Sequence, residues 1–193
     1  MEKKIRTNFL VKNLVIWWKK RFSSSSSFSF YSSFLTAKSV LVCFPASKEE
    51  FASAVNHLPA LADIFSSSKI YLLLPLLEAE SFVANLKSYE IISPHSADLK
   101  PFSLPSRKFI EKIKKHDFGI TIDLDLKGCL FNALTCFSSG TPLRIGMEGK
   151  WGKPFYNIRL VTQKGLVYLD QRYDAILETL RSLRNGAGAQ RRS

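Results

Sequence analysis

Five short apolar runs recur along the chain with helix-length stretches between them: "SVLVCF" (39–44), "KIYLLLP" (69–75), "EIISP" (90–94), "DFGITIDLD" (117–125) and "PLRIGM" (142–147). Runs of this length, apolar at consecutive positions, read as strands buried on both faces. A strand lies parallel to its predecessor only through a crossover of a dozen or more residues, and the intervening stretches are long enough for that. Each of them carries a helical pattern. Residues 47–67 open with Ser47 and Glu50, a capping-box spacing. Residues 78–89, 106–116 and 127–140 follow, the last ending at Gly140. The stretch 170–185 places Tyr173, Ile176, Leu177, Leu180 and Leu183 on one face. "EGKWGKPFYNIRL" (148–160) reads as a loop entering a short extended piece. The expected fold class is α/β: a single three-layer Rossmann-like domain with a mostly parallel sheet, spanning 38–184. A basic tail, 185–193, follows it.

The N-terminal region has a different texture. Residues 1–22 read as a basic amphipathic helix, with Ile5, Phe9, Leu14, Val15, Trp18 and Phe22 near one stripe. Trp17 and Trp18 stand beside Lys19, Lys20 and Arg21, the composition of a helix lying at a membrane surface. Docking on a protein partner and a processed targeting segment are the other two readings. A secretory signal fits poorly, because its apolar region should be longer and no basic cluster should follow it. Residues 23–37 form a Ser/Phe-rich strap. Phe28, Phe30 and Tyr31 make it too aromatic for a plain flexible linker, so it is expected to lie against a surface.

Charge is distributed unevenly. The chain of 193 residues has a formal net charge of +12, of which residues 1–22 hold +6 and residues 181–193 hold +4. The remainder is nearly neutral, which argues against a nucleic-acid-binding domain. Basic ends instead point to an anionic membrane surface or an acidic partner. No apolar run approaches the ~20 residues needed to span a bilayer.

Chemistry-bearing motifs are sparse. Cys43, Cys129 and Cys136 lie in apolar runs without CxxC spacing and read as reduced core residues. His57, His95 and His116 are scattered, so neither metal nor cofactor is expected. The first strand is followed by "FPASKEEF", which has no glycine, and this disfavours a dinucleotide site. Asp123 and Asp125 end a predicted parallel strand, where open α/β sheets hold ligands. Two residues apart, they share a face. Paired acid chemistry is one reading; capping of the following helix is the commoner role of such residues.

The segment 117–147 resembles heptosyltransferase-type glycosyltransferases, in which a strand ending Ile-Asp-Leu precedes a helix and then an Arg-Ile-Gly strand. "HLPALADIFSSSKIYLLLP" (57–75) is similar to that family's first helix and second strand, and "GKWGKPFYNIRL" to its Gly/aromatic loop. The resemblance covers about residues 39–180 and implies the acceptor-side domain of a two-domain (GT-B) enzyme. The donor domain of that pattern is not in this chain. The family's Gly-Asp pair, whose aspartate is the general base, would fall at Ala52 and Ser53, and serine without a partner base does not replace a carboxylate. Glu49 and Glu50 stand nearby, but they have the look of first-turn helix residues favoured by the helix dipole.

The expected function is therefore a non-catalytic scaffold or adaptor among the protein subunits of a membrane-associated complex. An accessory subunit of an energy-converting assembly, such as a photosynthetic reaction centre, is one form of it. Trp17, Trp18, Lys19, Lys20, Arg21, Phe28, Phe30 and Tyr31 would make the membrane or partner contact. Glu49, Asp123 and Asp125 would mark a residual ligand site. The alternative is the acceptor-binding half of a split glycosyltransferase acting on lipopolysaccharide-type acceptors.

Overall fold

The computed structural model describes residues 30–75, 89–149, 151, 155–162 and 165–190. The arm 1–22, with Trp17, Trp18, Lys19, Lys20 and Arg21, lies outside the described residues, as do Phe28 and all but the last residue of the helix predicted over 78–89.

The first strand sets the frame. In β1 (Ser39–Cys43), Val40, Leu41, Val42 and Cys43 are all fully buried, because both faces of the strand are covered. It pairs in parallel with β2 (Lys69–Leu73) on one side and with β6 (Ile120–Asp123) on the other. Strand β3 (Glu90–Ile92) extends the β2 side, and β7 (Leu143–Met147) and β8 (Ile158–Leu160) extend the β6 side. Every pairing in this six-stranded sheet is parallel. A two-residue antiparallel pair, β4 (Leu99–Lys100) with β5 (Leu104–Pro105), stands apart. Leaving that pair aside, the strand order 3-2-1 then 6-7-8 is the order of doubly wound Rossmann folds. The strand order reverses between β1 and β6.

Two helical layers complete the fold. Val40, Val42, Ile70, Leu72, Ile120 and Ile122 face a core shared with α1 (Phe30–Thr36), α2 (Lys48–Asn56), α3 (Leu58–Ile64) and α6 (Leu169–Gln190). Leu41, Cys43 and Leu73 face the opposite core, built with α4 (Arg107–Lys114), α5 (Leu130–Ser138) and the aromatic residues Trp151, Phe155 and Tyr156. The alternation follows from the two-residue period of a strand.

Local chemistry explains where the elements depart from the sequence reading. The helix expected over 47–67 is two helices. Ser47 Oγ accepts from Glu50 N at 3.3 Å and starts α2, which stops at Asn56 with His57 as its C-cap. Pro59 enforces the break: it has no N–H, and its ring would collide with the carbonyl of Val55 in a continuous helix. The strap also changes character. Its last residues form α1, where the Phe30 and Phe34 rings pack at a tilt one helical turn apart with centroids at 5.6 Å. Phe34 and Ala37 are buried, so the core begins upstream of Ser39. At the other end, α6 continues past residue 185 into the predicted tail. Its apolar face, Tyr173, Ile176, Leu177 and Leu180, is buried against α1, α2 and α3, with Leu183 partly buried beyond it.

Candidate functional site

Open α/β sheets hold ligands outside the carboxyl ends of their strands, where the strand order reverses. Here that place lies between the ends of β1 and β6, and Cys43 and Asp123 are register partners there. The chain turns from β1 into α2 through Phe44 and Pro45, both buried. Without a glycine, this turn fills the space that a glycine-rich loop leaves for a phosphate.

Asp123 occupies the centre and is only 2% exposed. Its Oδ1 accepts from the Asp125 backbone N–H and from Asn132 Nδ2, each at 3.0 Å. Its Oδ2 accepts from the Tyr156 hydroxyl at 2.5 Å. Burial pushes the Asp123 carboxyl up to about 7, and the neighbouring Asp125 charge adds to the rise against the three hydrogen bonds. Burial likewise holds the Tyr156 phenol well above its ordinary value, so Tyr156 remains a donor.

A second layer of carboxylates surrounds the first. Asp125 Oδ2 accepts from Ala46 N at 3.0 Å and ties the β1–α2 turn to β6. Its Oδ1 is buried without a hydrogen-bond partner. Glu50 is fully buried; its Oε2 accepts from Leu126 N at 3.1 Å, and Lys127 Nζ lies 3.0 Å from Oε1. That partnership raises the Lys127 pKa. Tyr173 reaches in from α6 and donates to Leu124 O at 3.1 Å. A cleft beside this cluster, lined in part by Asp125, Lys127, Glu148, Trp151 and Tyr156, has a volume of about 20 Å³, room for roughly one water.

The described residues after β7 are held against the sheet. Arg144 Nε donates to Phe155 O at 2.9 Å, and its Nη1 donates to Thr141 O at 3.0 Å. Its backbone N–H donates to Asn157 Oδ1 at 2.7 Å. Tyr156 then lies flat on β7 at Gly146, where a Cβ would stand 2.6 Å from three ring atoms. The Arg-Ile-Gly segment is thus a seat for the aromatic loop: the arginine clamps its backbone and the glycine leaves room for its tyrosine.

This arrangement has little catalytic reach. A carboxyl titrating near neutrality is suited to general-base work, but Asp123 already holds three donors and is sealed from solvent. An anionic ligand would meet Glu50, Asp123 and Asp125, whose nearby cation, Lys127, is engaged by Glu50. The thiols are inert: Cys43 and Cys136 are buried with sulfurs 3.6 Å apart, burial raises Cys43, and burial pushes Cys129 up to about 12. Among the described residues, no group of three or more His, Cys, Asp or Glu is placed to hold a metal ion.

Of the residues singled out from the sequence, Asp123 and Asp125 come together at the crevice. They do not cap the following helix; α5 begins at Leu130, its N-cap Cys129 makes no side-chain cap, and the carboxylates bind loop N–H groups, Asn132 and Tyr156 instead. Glu49 is exposed on the first turn of α2, and its neighbour Glu50 is the one that enters. Ala52 is exposed, while Ser53 Oγ donates to Asp170 Oδ1 at 2.5 Å and links α2 to α6. Phe30 packs on the chain's own core, and Tyr31 follows it in α1. Sequence reasoning missed Asn132 and Tyr156. The signal for Asn132 was a lone amide inside the apolar run "CLFNALTCF".

Among the described residues, no helix is long and apolar enough to cross a membrane. Compared with protein-family models, with curated proteins and with solved structures, the chain matches none of them.

Proposed function

We propose that the chain is a non-catalytic scaffold or adaptor subunit, built on a Rossmann-like domain whose ligand crevice has been closed by its own side chains. One observation carries this reading: Asp123, Asn132 and Tyr156 interlock where a ligand would sit, beside a cleft of about 20 Å³. The positive charge concentrated in the two ends of the chain supports a contact with an anionic membrane surface or an acidic protein subunit. The similarity of segments 57–75 and 117–147 to heptosyltransferase-type acceptor domains is compatible with descent from an enzyme half. The Arg144–Gly146 seat and the Ser53–Asp170 link give the resembling positions structural work instead of catalytic work.

The test is native purification of the full chain from its own cells, with identification and quantitation of everything bound. The expected result is fixed-stoichiometry recovery with other subunits from the membrane fraction. Sugar transfer by the chain, alone or mixed with a separately encoded donor domain, would overturn the reading in favour of a split glycosyltransferase.

A further inference from the structure

A fully parallel sheet starts all its strands along one edge, and here that edge lies opposite the closed crevice. Register fixes what stands on it. Ser39 pairs with Lys69, the Lys69 N–H donates to Lys38 O, and the Gly119 N–H donates to Ser39 O. The crossovers return to the same edge. Helix α4 ends shortly before β6, with Lys114 as its last residue and Lys115 as its C-cap. Helix α3 ends shortly before β2, and α6 runs back to meet it, where Arg184 Nη1 donates to Asp63 O at 3.3 Å.

This edge is rich in cations. Lys38, Lys69, Lys114, Lys115, Arg181 and Arg184 stand along it, against Asp63, Glu90 and Asp117. Glu90 takes Lys69 at 3.1 Å. Lys38, Lys114, Lys115 and Arg181 are exposed and, among the described residues, make no ion pair. The helix dipole accounts for Lys114 and Lys115 at the end of α4. It does not account for Lys38, which precedes a strand, or for Arg181, which stands inside α6. The other end of the sheet holds the Glu50, Asp123 and Asp125 cluster, where Lys127 is engaged by Glu50 and Arg159 by Glu148. The two basic ends of the chain also belong to the cationic edge: the chain enters β1 there from α1, and α6 runs toward it on the way to the tail. Flexible lysines spread over several elements suit a diffuse anionic surface better than a shaped pocket.

We propose that the amino-terminal edge of the sheet is the face this chain lays on an anionic lipid surface, with Lys38, Lys114, Lys115 and Arg181 over the headgroups. The proposal rests on the membrane-contact reading above and adds an orientation to it, in which the closed crevice faces away from the bilayer.

Vesicle co-sedimentation of the full chain tests this, with phosphatidylcholine vesicles compared with vesicles holding about 30% phosphatidylserine. The chain should sediment with the anionic vesicles alone, and added salt should release it. Replacing Lys114 and Lys115 together by glutamine should weaken binding about thirtyfold, and Lys38→Gln or Arg181→Gln about fivefold each. All four positions are exposed, so circular dichroism should show the parental fold in each variant. Lys108→Gln combined with Arg172→Gln removes the same charge from the first turns of α4 and α6, at the other end of the fold, and should leave binding almost unchanged. Equal losses from the two double variants would overturn the proposal, because net charge alone would then hold the chain. Unchanged binding in the edge variants, with binding abolished by removing residues 1–22, would overturn it and leave the membrane contact to the arm. No binding of the parent chain to anionic vesicles would overturn both the orientation and the membrane contact; an acidic subunit released by the edge variants would then assign this face to a protein.

Discussion

Replacing Asp123 by asparagine should stabilise this protein above neutral pH. The carboxyl is 2% exposed and its pKa is raised by burial to about 7. In the unfolded chain it titrates at an ordinary carboxylate value. Because the folded pKa is the higher one, ionisation disfavours the fold. The penalty is absent well below the unfolded pKa, grows as pH rises toward the folded pKa, and is constant above it. The interval of about three pKa units corresponds to roughly 4 kcal/mol at the high-pH plateau and to about 1 kcal/mol near pH 4.5. Asparagine keeps the shape. Its oxygen can accept from Asp125 N–H and Asn132, and its amide can donate to the Tyr156 oxygen, whose hydroxyl rotates. Urea unfolding of both proteins across this pH range isolates the effect, because every other titrating group is shared. The variant should gain on the parent steadily from about pH 4 to about pH 8, by up to roughly 4 kcal/mol. A variant that is less stable at high pH, or a difference that does not change with pH, would refute the reasoning. It would mean that the three donors stabilise the anion more than burial opposes it.

Two further predictions follow from packing. Gly146→Ala places a methyl group 2.6 Å from the Tyr156 ring; the ring must leave its seat, at a loss of about 1–3 kcal/mol in thermal or denaturant unfolding, and unchanged stability would mean that the loop does not rest on β7. Removing residues 1–22 should leave the unfolding midpoint unchanged, whereas removing 1–37 deletes the buried Phe34 and Ala37 and should lower stability by at least about 3 kcal/mol, the loss typical of a truncated core phenylalanine; equal stability of the two truncations would place α1 outside the core.

The motif residues quoted from the sequence take on a physical meaning once the packing is known. Leu58 and Leu61 of the Leu-Pro-Ala-Leu segment are both 1% exposed, and Pro59 sets the start of α3. Arg144 and Gly146 seat the aromatic loop. These five residues therefore have folding roles, and none of those roles needs a substrate.

The α/β class, five of the six sheet strands and the apolar face of α6 were legible in the sequence. They depend on local periodicity: consecutive apolar positions for strands covered on both sides, and a 3.6-residue repeat for a helix covered on one. The break at Pro59 has an equally local cause, a missing donor, but the reading of 47–67 as one helix passed over it. The crevice was not legible, because its members come from distant parts of the chain. Glu50, Asp123, Asn132 and Tyr156 span more than a hundred positions and meet only through the parallel order of β1, β6 and β7. The choice between Glu49 and Glu50 was decided by helix rotation, which turns one side chain to solvent and the other to Lys127 and Leu126. The strap followed the same logic. Composition marked Phe30 and Phe34 as residues that needed a surface, and the tertiary structure supplied it from the chain's own α3 and α6, because burying an aromatic ring intramolecularly needs no partner.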